Sequence, residues 1–255
     1  MSKLSRKKLR NIRLTLQYEG TNYNGWQRQK NTRRTIQGII EEILRKILRE
    51  KVAVIAAGRT DAGVHARQQV ANFKTKNRIP PLKLQRAINS LLPEDVKVTN
   101  VSRVSLDFHS RYDVKEKTYR YTILNQPYND VFLRRFVYHY PQADLNLSAM
   151  RKAGSLLIGK HDFSSFAITG CSRNKTNVRN IKKLRIAKKG SFIFIEITGR
   201  GFLHKMVRGI VGTLIEIGRG KLSVETLGKI LQSRNRKAAG PTAPACGLCL
   251  MRVKY

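Results

Sequence analysis

An α+β fold built from two ferredoxin-like halves, each a split β-α-β unit with a largely antiparallel sheet, is the architecture this sequence predicts. Three observations predict it. Ile12, Leu14, Leu16 and Tyr18 alternate with polar residues, as a half-buried strand does. Ile36, Ile39, Ile40, Ile43, Leu44, Ile47 and Leu48 recur at spacings of three and four, the pattern of one helix face. The order strand, helix, strand, strand, helix, strand then occupies the first part of the chain and is repeated, with longer excursions, in the rest.

The elements follow in order. After the first strand, a polar loop with Asn22, Asn24 and Gly25 leads to a helix over about 35–49, and strands over about 52–57 and 66–73 flank a glycine-containing loop. Pro80 and Pro81 open a second helix reaching about Leu91, because proline is tolerated in a first turn. A strand over about 96–104 closes the first half. The second half reads as a strand near 116–124, a helix near 146–158, strands near 180–188 and 191–198, helices near 202–217 and 223–232, and a last strand near 247–254. The chain thus divides into a basic arm (1–11), an N-terminal half (12–105) and a C-terminal half (106–255). No low-complexity linker separates the halves, which predicts that they pack together with a cleft at their junction.

A chain of 255 residues with 41% hydrophobic content can bury a sizeable core. Its charge is more telling: 51 Lys and Arg against 16 Asp and Glu leave +35, and the arm holds Lys3, Arg6, Lys7, Lys8 and Arg10 with no acid. Such a surplus points to nucleic acid, because each phosphate neutralised by Lys or Arg releases condensed counterions and yields salt-dependent affinity. No stretch has the apolar length of a membrane-spanning helix, and the N-terminus lacks the pattern of a secretory signal. Cys171, Cys246 and Cys249 make no disulfide framework, which suits a reducing, cytoplasmic setting. Cys246 and Cys249 spell C-x-x-C, but residues three apart on a strand face opposite ways, so their reading is structural. GRGKLS at 218–223 lacks the spacing of a phosphate-binding loop. His65, His109, His139, His161 and His204 form no metal-ligand pair, and Glu41 and Glu42 fall on the polar face of their helix, so no metal is expected.

Three segments could carry chemistry. GRTDAGVH, from Gly58 to His65, places Asp61 beside Arg59 between glycines that permit close ligand approach. An Asp in such a turn can equally cap its own backbone or a helix start. KEKTYRYTILN, from Lys115 to Asn125, puts Lys117, Tyr119 and Tyr121 on one strand face, where rings either stack on unpaired bases or pack in a core. FHSRY, Phe108 to Tyr112, offers similar groups upstream. GFLHKMVRGIVG, Gly201 to Gly212, reads as a helix in which Arg208 interrupts an apolar stretch. A buried guanidinium needs a partner, and Asp61 is the attractive one, unless Arg208 emerges at the surface.

With these segments the chain resembles the tRNA pseudouridine synthase A family over nearly its whole length. The blocks that carry the resemblance are YEGTNYNGWQRQ, TIQGIIEEIL, GRTDAGVHA with QVANF, FHSRY, KTYRYTILN, HDFSSF, FLHKMVRGIVG and GLCLMRVKY. The resemblance implies isomerisation of uridine to pseudouridine at tRNA positions 38, 39 and 40, in the anticodon arm, without cofactor or metal and by a homodimer. It implies Asp61 as the catalytic aspartate in a cleft between the halves, Tyr119 as the ring that stacks on the target base, and Arg208 as the partner of the aspartate. Arg59 matches the residue that fills the space of the flipped base. Phe108, His109, Ser110, Arg111 and Tyr112, with the TGCSR loop (Thr169, Gly170, Cys171, Ser172, Arg173), match segments that contact tRNA. The basic arm and the extreme charge exceed the usual pattern of the family. A non-catalytic RNA-binding protein would share the charge and the tyrosines, but it gives no reason for GRTDAGVH and Arg208 to occur together.

Overall fold

A computed structural model describes residues 9–142, 144–168 and 176–255. The chain resolves into two compact units, one running to Val114 and joined by Tyr255, the other spanning Lys115–Lys254. The TGCSR loop and most of the basic arm lie outside the described residues.

The first unit contains β1 (Arg10–Tyr18), α1 (Ile36–Leu48), β2 (Ile55–Ala56), β3 (His65–Thr75), α2 (Pro81–Asn89) and β4 (Val96–Val104). All its strand pairs are antiparallel, in the order β4-β1-β3-β2. The predicted alternation holds: Ile12, Leu14, Leu16 and Tyr18 are buried, while Gln17 faces water. β1 begins earlier than expected, since Arg10 and Asn11 already belong to it. Helix α1 starts at Thr35, whose hydroxyl accepts from the Gly38 N–H at 3.3 Å, and stops at Arg49 in the left-handed region (φ 54°). Its buried stripe of Ile36, Ile40, Ile43, Leu44 and Leu48 is the apolar face read from the sequence. Glu41 departs from that reading. It is buried, accepting from the Val54 N–H (3.0 Å) and the Gln37 amide (2.9 Å) while paired with Arg28 at 3.1 Å, because α1 needs an acceptor for the chain entering β2.

The second unit contains β5 (Glu116–Leu124), β6 (Tyr138–His139), α3 (Leu147–Ser155), β7 (Gly159–Asp162), β8 (Val178–Lys189), β9 (Phe192–Gly199), α4 (Met206–Gly218), α5 (Val224–Ser233) and β10 (Leu248–Lys254). Its strands run β10-β5-β9-β8-β7, all antiparallel, and the short β6 pairs in parallel with the end of β5 beyond β10. The fold is therefore a mixed one, with mostly antiparallel sheets and five α-helices among the described residues. Strands β6 and β7 escape the periodicity argument because two and four residues are too short to show alternation.

Helix α4 differs from the sequence reading at its start. Residues 201–205 are not helical, and Lys205 adopts φ 58°, so the helix begins only at Met206. Met206, Ile210, Val211 and Leu214 are fully buried, which is the reason the apolar pattern extends to Gly218.

Candidate functional site

The Asp61 loop is held by backbone and side-chain ties to its neighbours. Residues 19–26 form a second loop that lies directly against it. The Thr60 carbonyl accepts from the Trp26 N–H (3.0 Å), and the Gly63 N–H donates to the Tyr23 carbonyl (3.3 Å). The Gly20 N–H donates to Nδ1 of the buried His65 (2.9 Å), so this histidine is a structural acceptor, not a ligand. The Tyr18 hydroxyl meets Thr60 Oγ1 at 2.8 Å, and Gln69 donates to the Gly58 carbonyl at 2.8 Å. The approach of the two loops leaves no room for side chains at the contact. A Cβ on Gly20 would lie 2.1 Å from the Val64 carbonyl oxygen, and one on Gly25, which has φ 86°, would lie 2.6 Å from that of Thr60. The backbone on both sides of Asp61 is thereby fixed, while Asp61 itself is half-buried and Arg59 exposed.

This clamp gives a structural reason for the block YEGTNYNG, which the sequence presents as a polar loop and as part of the family resemblance. Tyr23 adds a further tie, its hydroxyl donating a short hydrogen bond to Asp95. Burial and the adjacent Asp95 carboxylate push its phenol well above the usual range, so it remains a donor. Glycines 20 and 25 and the acceptor His65 were findable in principle, as a Gly-rich loop facing another Gly-rich loop. Nothing in one strand of sequence says that the two loops touch.

The FHSRY segment belongs to the first unit, pinned there by two buried asparagines. Asn11 Nδ2 donates to the carbonyls of Ser105 and Phe108, each at 2.8 Å, and its own Oδ1 accepts from Asn72 at 2.9 Å. Asn72 Oδ1 in turn accepts from the Ser110 N–H at 3.0 Å. Ser110 is fully buried, with its hydroxyl donating to the Ile55 carbonyl at 2.5 Å and its carbonyl accepting from Tyr255 at 2.7 Å. The N–H, hydroxyl and carbonyl of Ser110, one of the residues expected to contact tRNA, are all hydrogen-bonded within the fold. Phe108 packs on Tyr255, ring centroids 4.9 Å apart, with the Arg13 guanidinium 6.0 Å from its ring. Arg111 and Tyr112 are exposed, and His109 stacks on Tyr112 at 4.2 Å. Of the five, those two are presented to solvent.

Tyr119 and Arg208 are carried by the second unit, separate from Arg59 and Asp61 in the first. Tyr119 sits in mid-β5 between Leu250 and Ile197, with its ring edge-on to Phe202 at 5.3 Å. Phe202 lies on the non-helical approach to α4, which is where the late helix start puts it. Tyr121 shares the face, and of the two readings open for its ring it takes core packing. It is completely buried, and its hydroxyl donates to the Pro244 carbonyl at 2.9 Å. Burial drives this phenol far above its normal range, so Tyr121 is a core tyrosine rather than a base platform. Arg208, in the first turn of α4, is half-buried, and its Nε donates to the Ala243 carbonyl at 2.7 Å.

Cys246 is placed in a 3-10 turn and Cys249 in β10, with Cys246 donating to the Val137 carbonyl at 3.3 Å. Among the described residues no cluster of three His, Cys, Asp or Glu could hold a metal ion, and no helix is long and apolar enough to cross a membrane.

The comparisons with known proteins converge on one family. A family model described as tRNA pseudouridine synthase matches residues 15–113 and 153–255. A relative named tRNA pseudouridine synthase A from Clostridium acetobutylicum is 46% identical over 247 residues, covering 97% of this chain and 100% of its own length. Relatives of the same name from Thermoanaerobacter sp. (46% over 249 residues) and Acetivibrio thermocellus (45% over 247) are covered equally fully.

Proposed function

Because the chain belongs to the tRNA pseudouridine synthase A family, an isomerase family acting on uridine in tRNA, we propose that it modifies positions 38, 39 and 40 of the anticodon arm by an Asp61-dependent glycosidic rearrangement. The observation that carries this reading is the clamp between residues 19–26 and the GRTDAGVH loop. It holds the backbone of a single acid rigid at a half-buried position, which is what positioning a reactive carboxylate requires and what a turn-capping aspartate does not.

The reaction cleaves the C1'–N1 bond of uridine, rotates the uracil, and forms a bond from C1' to C5, whose hydrogen is then lost. The nucleotide must first leave the stack, at a cost of a few kcal/mol. Arg59, exposed at the loop, occupies the vacated space, and Tyr119 receives the flipped base. Phe202, edge-on to Tyr119, fixes the plane of that ring. The Asp61 carboxylate then acts at the ribose, either as a nucleophile on C1' or as a base on the C2' proton. Arg208 orients the carboxylate by a charge-assisted hydrogen bond. The acid belongs to one unit and its arginine to the other, and each unit is read as a ferredoxin-like half. The shared strand order, β4-β1-β3-β2 in one unit and β10-β5-β9-β8 in the other, supports that division. The domains are then the two compact units divided at Val114, not near residue 105 as read from the sequence, with FHSRY in the first.

The FHSRY segment, Phe108, His109, Ser110, Arg111 and Tyr112, and the loop Thr169, Gly170, Cys171, Ser172 and Arg173 contact tRNA, with Arg111 and Tyr112 the exposed side chains of the first. A homodimer in the cytoplasm, needing no cofactor, completes the reading. The test is the release of tritium from C5-labelled tRNA. Asp61→Asn should bind tRNA within about threefold of the wild-type chain and release none. Ordinary turnover by that variant rejects Asp61 as the catalyst.

A further inference from the structure

The segment Gly240–Pro244 is strapped across the first two turns of α4 by contacts to the helix, to Arg236 and to Tyr121 of β5. Ala243 and Arg208 are linked reciprocally: the Ala243 N–H donates to the Arg208 carbonyl at 3.1 Å, and Arg208 Nε donates to the Ala243 carbonyl at 2.7 Å. Thr213 Oγ1 accepts from the Gly240 N–H at 3.0 Å. Arg236 reaches the Gly240 carbonyl and Thr242 Oγ1, both at 2.8 Å. The Tyr121 hydroxyl holds the Pro244 carbonyl from the core side. The strap lies so close to the helix that a Cβ on Gly212 would fall 1.7 Å from the Pro241 carbonyl oxygen. These ties bracket Ala243, the residue that grips the Arg208 side chain, on both sides.

A guanidinium is a rigid planar fork, so fixing Nε sets the direction of both Nη groups. We propose that the strap is the positioning element of Arg208, with Tyr121 as the positioning residue that anchors it and Gly212 as the gap that lets it approach. The inference rests on the role given to Arg208 above. It reassigns the second tyrosine of the TYRY motif: Tyr121 acts on the reaction through Pro244, Ala243 and Arg208, not through the base. Burial keeps its phenol protonated, so the donor is present throughout the working pH range.

A double-mutant cycle on the full chain tests it, using single-turnover tritium release and tRNA binding. Tyr121→Phe keeps the ring and loses only the donor to Pro244. It should slow the chemical step about three- to tenfold with tRNA affinity within about twofold. Arg208→Lys removes Nε and should slow it further. In the Arg208→Lys background, Tyr121→Phe should cost less than about twofold, because the strap then has no fork to aim. Gly212→Ala should mimic Tyr121→Phe, and if it does not fold, the Tyr121 cycle decides alone. A wild-type rate for Tyr121→Phe, or effects of the two substitutions that simply multiply, overturns the inference and leaves the proposed reaction standing. Absence of tritium release from the wild-type chain defeats the proposed reaction, and the inference with it.

Discussion

Gly25→Ala should damage catalysis without touching the acid. Gly25 has φ 86°, where a Cβ costs about 1–2 kcal/mol. The added carbon would sit 2.6 Å from the Thr60 carbonyl oxygen and 3.0 Å from the Asp61 carbonyl carbon, and ordinary contact begins at 3.4 Å. The Thr60–Asp61 peptide must therefore retreat by roughly 0.8 Å, or the 19–26 loop must, and either movement weakens the Trp26–Thr60 hydrogen bond by about 1 kcal/mol. Together these give about 2–3 kcal/mol, or a melting temperature lower by roughly 4–12 °C. Misplacing a reacting group by nearly 1 Å costs about 100-fold in rate. The expected result is a folded variant with near-normal tRNA affinity and a single-turnover rate down by one to two orders of magnitude. Circular dichroism melts and tritium release read the two quantities separately. A variant that melts early but turns over normally would refute the reasoning, since it would show that the chemistry tolerates a displaced loop.

Other outcomes follow from the same geometry. His65→Phe leaves the buried Gly20 N–H without its acceptor and should cost about 1–3 kcal/mol in urea denaturation. Ser110→Ala should lose about 1 kcal/mol of stability and leave tRNA affinity unchanged, whereas Arg111→Ala should do the reverse, weakening binding and lowering the salt slope by about one. Equal loss of affinity from both substitutions, measured by filter binding across a salt series, would contradict the assignment of Ser110 to the scaffold.

Much of this protein is legible along the chain because strands and helices bury faces with different periods. The alternation through Ile12, Leu14, Leu16 and Tyr18 and the stripe from Ile36 to Leu48 mark β1 and α1 without any partner being known. The acid itself is also legible, as a lone carboxylate between glycines in a basic chain. What periodicity cannot carry is the identity of contacts between segments distant in sequence. Only the folded chain places Gly20 and Gly25 against Val64 and Thr60, because a glycine chosen for close approach looks no different in sequence from one chosen for a turn. The tyrosines are alike in this: alternation puts Tyr119 and Tyr121 on one face and both are buried, but only the folded chain ties Tyr121 to the Pro244 carbonyl, more than a hundred residues away. Ser110 and Glu41 read as surface groups, since polarity alone predicts exposure, and they are buried because the backbone of another segment requires their hydrogen bonds. Local spacing thus determines most of the elements and singles out the candidate acid, and tertiary contacts decide which polar groups hold the fold.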